Sequence, residues 1–231
     1  MTSAPLIGHP ASQEVEERPT FVAARRGLLA VIGVLALLTA AVVGHATAPV
    51  PAPGDTSADA GFARDMSAHH AQAVQMAEIV RTRTGSATIR TIATDVSLTQ
   101  TAQMGIMQGW LGAWQLPYGS TRPRMAWMGD DQGHMAGMTA DDSASPRVSG
   151  SMPGMAVPAD VRRLQTLPVK DADRLFLQLM TAHHRGGIRM ATTGERLASR
   201  PEVRQLAASI ASAQRAEITQ MQTLLESSTR P

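Results

Sequence analysis

The sequence predicts an all-α protein: a four-helix bundle built from two repeated helical hairpins, preceded by an N-terminal transmembrane helix. Hydrophobic residues make up 43% of the chain and aromatic residues 3%. The core must therefore consist of Ala, Leu, Ile, Val and Met, which suits packed helices better than a β-sandwich. In addition, one motif recurs after 114 residues (69 to 183, 76 to 190), and an apolar stretch near the N-terminus is long enough to span a bilayer.

The apolar stretch comprises residues 27–48 and contains no Asp, Glu, Lys or Arg. Two arginines directly precede it, so the positive-inside rule predicts a cytoplasmic tail at 1–26 and an extracytoplasmic C-terminal domain. The segment is either a single-pass signal anchor in the cell membrane or a signal peptide cleaved after Ala48, since small residues end it. Cleavage would make the protein secreted. A Pro-rich linker follows at residues 49–58.

Apolar residues at helical spacing then predict four long helices. They run from about residues 59 to 83, 87 to 114, 171 to 198 and 201 to 227. Asp171 is predicted to cap the third helix and Pro201 to open the fourth.

The first hairpin is thus residues 59–116 and the second is residues 158–231, with a short extra helix near 159–167. Because neither hairpin can bury its apolar stripe alone, the two should form one bundle domain. In an up-down-up-down bundle, the first and third helices would run parallel.

The repeated motif is Met-x-x-His-His-x5-Met-Ala. Its two copies supply the candidate metal ligands Met66, His69, His70 and Met76, and Met180, His183, His184 and Met190. At about 100° per residue, each set lies on one helix face that should point into the bundle. A pseudo-two-fold along the bundle axis would bring the four imidazoles to one height. A buried histidine or a methionine stripe is more often a core element, but four buried histidines leave many nitrogens to satisfy, which favours a metal site.

Residues 117–157 form a loop too long for an ordinary bundle connection. The loop holds seven further candidate ligands: Met125, Met128, His134, Met135, Met138, Met152 and Met155. No apolar periodicity indicates a core role for them, so capture of metal is favoured. The alternatives are packing over the bundle and binding of a partner.

Ligand softness predicts copper, with Cu(I) favoured and Cu(II) also accommodated, because thioether suits Cu(I) and imidazole serves both states. A di-iron bundle would need inward Glu and Glu-x-x-His pairs, and structural zinc prefers Cys. The chain has no cysteine, which fits an oxidising compartment. Gln100, Gln214 and Glu217 are candidate acceptors for the imidazole N–H groups. Since binding needs neutral imidazole, it should weaken below about pH 6.

At these residues the chain resembles the domain-of-unknown-function family 305, over about residues 59 to 227. The marks are FARDMSAHHAQAVQMA, FLQLMTAHHRGGIRMA, the linker MPGM at 152–155, Asp173 and the helix AASIASAQRAEITQMQ. The resemblance implies a ferritin-like four-helix bundle, export from a bacterial cytoplasm and copper binding. The chain departs from its own repeat at Gln103, which stands where the second copy has Glu217.

The predicted function is extracytoplasmic copper binding for sequestration, delivery or resistance, without catalysis. The alternatives are a metal-free envelope scaffold or interaction protein and a copper-dependent redox enzyme with oxidase-like activity. The predicted partners are a copper ion and, through the N-terminal helix, the membrane; a copper donor or acceptor protein and a second copy of the chain are further candidates. A net charge of +2 with scattered arginines argues against nucleic acid.

Overall fold

The computed structural model describes residues 33–35, 37–39, 51–129 and 152–227, and these contain helices and no strand. The helices are α1 (Ala58–Arg81), α2 (Ala87–Ala113), a 3₁₀ helix (Ala126–Met128), α3 (Pro158–Thr166), α4 (Val169–Leu197) and α5 (Pro201–Ser227). The all-α prediction is confirmed, and the long helices begin and end close to the predicted residues. α1 pairs with α2, α4 pairs with α5, and the two hairpins pack together through α1 and α4.

The predicted membrane segment at 27–48 lies mostly outside the described residues. Residues 33–35 and 37–39 are helical, and Val34, Leu35 and Leu37 are exposed. None of the described helices has both the length and the hydropathy that a bilayer span requires. The predicted tail at 1–26 also lies outside the described part of the chain.

Serine side chains begin both helices of the first hairpin. Ser57 Oγ accepts a hydrogen bond from Ala60 N (3.2 Å), and Ser86 Oγ accepts one from Ile89 N (3.3 Å). These bonds satisfy backbone N–H groups that have no partner inside the helix.

The prediction that Asp171 caps the third long helix is wrong. α4 begins at Val169, directly after Pro168, and Asp171 lies in its first turn. Proline is tolerated at a helix start because the N–H it lacks would have no intrahelical partner there. In the first turn, the Asp171 carboxylate faces the positive end of the helix dipole instead of capping it.

α1 and α4 run antiparallel, as contacts at both ends show. At the start of α1, the Asp59 carboxylate accepts hydrogen bonds from Ser199 N (3.1 Å) and Arg200 N (2.9 Å), just beyond the end of α4. Just beyond the end of α1, Thr84 Oγ1 donates to Asp173 Oδ2 (2.8 Å) near the start of α4. The prediction that the first and third long helices run parallel is therefore wrong.

The long connection between the hairpins makes this direction accessible, since it can return the chain to either end of the first hairpin. Asp59 and Asp173 are equivalent positions of the two repeats, and each holds the turn of the opposite hairpin. The pseudo-two-fold axis is consequently perpendicular to α1 and α4 and passes near their midpoints, where both His-His pairs lie.

A short segment that contains a turn, residues 152–156, crosses α1 and α4 and is called the strap below. Gln72 on α1 donates through Nε2 to Ala156 O (2.9 Å), and Ala156 N donates to Gln72 Oε1 (2.7 Å). On α4, a Cβ atom added to Gly186 would lie 1.9 Å from Pro153 O. The strap can approach α4 this closely only because position 186 has no side chain.

We expect Gly186→Ala to lower the free energy of unfolding by about 1–3 kcal/mol, the usual cost of overpacking, because the methyl group must displace the strap backbone. The matched control is Gly105→Ala, at an exposed position of α2 where no described atom beyond its chain neighbours and the helix's own backbone lies within 4 Å of the added Cβ. There the change should stabilise the protein by up to about 1 kcal/mol, because alanine is the better helix former. Urea unfolding followed by circular dichroism measures both, and equal stability of the two variants would contradict the docking of the strap.

Candidate metal centre

The four repeated histidines meet at the crossing of α1 and α4. His69 and His70 come from α1, His183 and His184 come from α4, and all four side chains are 0% exposed. The rings of His69 and His183 lie with their centroids 3.7 Å apart, at an interplanar angle of 35°. The inward orientation predicted from helical spacing is thus confirmed. The histidines converge because they lie near the midpoints of two antiparallel helices, not because the helices run parallel.

Three of the imidazoles are fixed by an oxygen acceptor at Nε2. His69 Nε2 contacts Pro153 O of the strap (3.0 Å), and His70 Nε2 contacts Gln103 Oε1 on α2 (2.8 Å). His184 Nε2 contacts Glu217 Oε2 on α5. Since a carbonyl or carboxylate oxygen can only accept, each Nε2 carries the proton, and Nδ1 of each neutral ring keeps its lone pair.

The Nδ1 atoms of all four histidines are buried, and none has a hydrogen-bond partner within the described part of the chain; the same holds for Nε2 of His183. A buried nitrogen lone pair without a partner is unfavourable, so this arrangement needs a reason. A metal ion bound at Nδ1 provides one, because metal-ligating histidines usually donate their other ring N–H to a carbonyl or carboxylate. The residues present therefore fit a bound metal.

Burial keeps His69, His70 and His183 neutral at pH 7. Loss of solvation lowers the pKa of His69 to about 4 and that of His70 to about 3, with neighbouring histidines adding to the decrease. Burial, followed by the charges of His69 and His184, places the pKa of His183 well below 6.5. The expectation that protons compete with metal below about pH 6 assumed an ordinary imidazole, and burial moves that competition to lower pH.

Methionines lie on both sides of the four histidines. Met66, Met107 and Met190 belong to one apolar cluster with Phe62. The other cluster contains Met76, Met180, Met221 and Phe176. Because α1 and α4 are antiparallel, Met66 shares a cluster with Met190 and Met76 with Met180. Along α1 and α4, each histidine pair thus lies between one methionine of each cluster.

The described loop methionines are packing residues. Met125, Met128 and Met152 are buried in the cluster that contains Met66, and the half-buried Met155 packs against it. The prediction that these methionines have no core role was therefore wrong. It rested on the absence of apolar periodicity, which identifies the faces of helices but not irregular segments that pack on them. Whether these four also bind metal stays a prediction, and His134, Met135 and Met138 lie outside the described residues.

Asp65 on α1 holds the first part of this loop in place. Its Oδ2 accepts hydrogen bonds from Met125 N (2.7 Å) and from Trp127 Nε1 (3.0 Å). Trp127 in turn packs edge-on against Phe62 and directly over Gly61. These contacts carry Met125 and Met128 into the core.

Among the predicted acceptors, Glu217 contacts an imidazole as expected, whereas Gln100 Oε1 and both amide atoms of Gln214 have no hydrogen-bond partner in the described ranges. Gln103 is the acceptor that the sequence analysis missed. The signal was present in the sequence, since Gln103 precedes Glu217 by the repeat distance of 114 residues. An amide oxygen accepts from Nε2–H as a carboxylate does.

No group of three or more His, Asp or Glu side chains among the described residues is arranged to hold an ion by itself. A coordination sphere here would therefore combine imidazoles with methionine thioethers. That donor set, neutral nitrogen and sulfur, suits copper better than magnesium, calcium or manganese, which prefer oxygen.

Comparison with known proteins gives the family. The family model described as a domain of unknown function, DUF305, matches residues 59–225. This chain belongs to the DUF305 family. A crystal structure of a candidate secreted DUF305 protein from Streptomyces coelicolor is 42% identical, with a TM-score of 0.65, and covers 75% of this chain and 95% of that one. A DUF305 fragment from Deinococcus radiodurans is 34% identical, with a TM-score of 0.58, and covers 77% of this chain and 99% of that one.

The DUF305 fold is also that of CopM, a protein solved with copper. Its Cu(I)-bound form is 24% identical to this chain, with a TM-score of 0.53, and covers 74% of this chain and 98% of that one. Its Cu(II)-bound form is 25% identical, with a TM-score of 0.53, and covers 74% of this chain and 97% of that one. A comparison with curated proteins finds no match.

We expect the free energy of unfolding of this DUF305 protein, without metal, to fall as the pH is lowered from 7.5 to 5. The pKa values of His69 and His70 are about 4 and about 3 in the folded chain and 6.5 as the ordinary value. Between these limits the unfolded chain binds more protons, so stability present above pH 6.5 is lost as the pH falls. At pH 5 the loss is up to about 2 kcal/mol per imidazole, from ~1.4 kcal/mol per pKa unit. Urea unfolding at each pH measures it.

The control is the variant with His69→Gln, His70→Gln and His183→Gln, which keeps every carboxylate and removes the three imidazoles. Its stability should change less between pH 7.5 and 5 than that of the unaltered protein. The same slope in both proteins would show that these imidazoles are not the source of the pH dependence.

Proposed function

We propose that this protein binds copper outside the cytoplasm, through its buried imidazoles and the methionines beside them, and sequesters the ion or hands it on. The observation that carries the proposal is the set of four buried Nδ1 atoms without a partner in the described ranges, three of them on rings whose Nε2–H is held by an oxygen. The hydrogen bond at Nε2 orients each of these three rings so that Nδ1 can donate its lone pair to a cation.

Copper is favoured over other ions by the donor types. The chain has no thiolate to offer, and thioether with imidazole is a soft to borderline set. The similarity to the Cu(II)-bound form of CopM, at 25% identity over 74% of this chain, supports the same ion. In this proposal Cu(I) is the preferred state and Cu(II) is also accepted.

Location outside the cytoplasm is supported by the apolar stretch at 27–48, by the arginines before it and by similarity to a candidate secreted protein. The segment either anchors the protein or is removed. The described bundle would then face an oxidising compartment, where methionine and histidine persist better than free thiols.

Delivery of the ion is assigned to the loop at 117–157. His134, Met135 and Met138 would capture copper weakly and pass it to the buried site, for storage or for transfer to a partner protein. The proposal assigns no catalytic step. A redox enzyme built on the same residues would show turnover with oxygen, and a metal-free scaffold would not bind copper at all.

A competition titration of Cu(I) against a chromogenic chelator tests the proposal, with the purified full chain and a variant carrying His69→Gln, His70→Gln, His183→Gln and His184→Gln. Glutamine can still donate an amide N–H to Pro153 O, Gln103 and Glu217, but it lacks the inner ring nitrogen. We expect the unaltered chain to bind tightly and the variant to lose more than the ~10–100-fold typical of changes behind the ligands. Circular dichroism verifies that the variant is still helical.

A second variant, with His134→Gln, Met135→Leu and Met138→Leu, is the control for the loop. It should retain tight binding and take up the ion more slowly. Tight binding by the bundle variant but not by the loop variant would move the site to the loop. Failure of the unaltered chain to compete with the chelator would leave a scaffold role and refute copper binding.

A further inference from the structure

The two repeats differ at the acceptor that holds the second histidine of each pair. Gln103 and Glu217 occupy equivalent positions, and each lies 33 residues after the histidine it contacts, His70 and His184 respectively. In both cases the contact is made through Nε2, and in both rings Nδ1 is buried without a partner in the described part of the chain. At this contact the two halves therefore share the ring atom that is held and differ in the charge of its acceptor.

The charge of the acceptor changes how strongly Nδ1 of the ring donates its lone pair to a metal ion. A carboxylate that accepts the ring N–H draws the proton toward itself and makes the opposite nitrogen a stronger donor, whereas a neutral amide oxygen does this more weakly. The Glu217 side chain is 23% exposed, so solvent screens its negative charge only in part. Across the His184 ring, this carboxylate would attract a doubly charged ion more strongly than a singly charged one.

We propose that Glu217 is a positioning residue that biases the site toward Cu(II), while Gln103 leaves its half suited to Cu(I). The inference rests on the proposed copper binding and deepens it. The two pseudo-symmetric halves are inequivalent, and the balance between the oxidation states of the bound ion is set by one carboxylate on α5 and one amide on α2. A site that accepts both states can take up an ion without first requiring its oxidation or reduction.

The test compares Glu217→Gln with the unaltered full chain. Affinities for Cu(I) and Cu(II) are measured separately, and the midpoint potential of the bound ion is measured with redox mediators. We expect Cu(II) binding to weaken by about 10–100-fold and Cu(I) binding to change much less, as befits a residue behind the ligands. The potential should rise by about 60–120 mV, at 59 mV for each tenfold change in a one-electron couple.

The repeat supplies the matched variants. Gln103→Glu should lower the potential, and the exchange variant carrying both Gln103→Glu and Glu217→Gln should return it toward the original value, since total charge and geometry are conserved. Glu202→Gln removes the same charge from an exposed position in the first turn of α5. It lies 15 residues before Glu217, roughly 22 Å along the helix at 1.5 Å per residue, and should leave the potential unchanged.

A measurement without metal separates this role from a merely structural one. The glutamine of Glu217→Gln still offers an oxygen, so ¹⁵N NMR of the metal-free variant should show His184 still protonated at Nε2. Glu217→Ala, which offers none, should lose that preference. If Glu217→Gln keeps the proton of His184 on Nε2 and raises the midpoint potential of the bound ion, the inference is supported.

Unchanged potentials in both Glu217→Gln and Gln103→Glu, with copper still bound, would overturn the inference and leave the proposed function standing. A shift in Glu202→Gln as large as that in Glu217→Gln would also overturn it, because the effect would then be one of total charge. Absence of copper binding in the unaltered chain would remove the proposed function and this inference together.

Discussion

The crossing of α1 and α4 at their midpoints is the constraint on which the rest of the structure depends. At this crossing His69 lies against His183, with ring centroids 3.7 Å apart and both side chains buried. Two imidazoles can lie so close in an apolar core only while they are neutral, because two adjacent positive charges without water would be strongly destabilising. Burial lowers the pKa of His69 to about 4, which keeps this ring neutral at pH 7 and permits its close packing against His183.

The elements around this crossing each contribute one oxygen to it. The strap provides Pro153 O, α2 provides Gln103 and α5 provides Glu217. The outer helices and the strap thus do more than cover apolar surface, since each fixes the proton of one imidazole on its outer nitrogen. Nε2 of each of these three rings is satisfied, whereas the buried Nδ1 has no hydrogen-bond partner among the described residues. These hydrogen bonds offset part of the cost of burying polar rings in the core of a small helical protein.

The repeat gives the molecule a near symmetry, and the departures from it are informative. Asp59 and Asp173 keep the same task, since each holds the turn of the other hairpin. The loop between the hairpins has no counterpart, and it places extra methionines in only one of the two apolar clusters. Together with the exchange of carboxylate for amide at Glu217 and Gln103, this makes the two ends of the candidate metal centre chemically different within a symmetric frame.

Much of this could be predicted from local sequence. Apolar periodicity and caps predict the helices, because both depend on neighbours within a turn or two. The doubled His-His motif predicts inward imidazoles, since spacing alone determines which residues share a helix face. The contact of Glu217 with a histidine also followed from residue type and position.

The remaining features depend on contacts between residues far apart in the chain. Sequence alone determined what each helix presents to its neighbours: four histidines framed by methionines, a donor set suited to a soft ion. Only the tertiary structure decided that α1 and α4 run antiparallel, because a long connection permits either direction and the choice lies in contacts such as Asp59 with Ser199 N. It likewise decided that Met128 is buried, through the docking of its loop on Asp65, and that Gln103 holds His70. Such contacts have no local signature, since their energy exists only once both partners have been brought together.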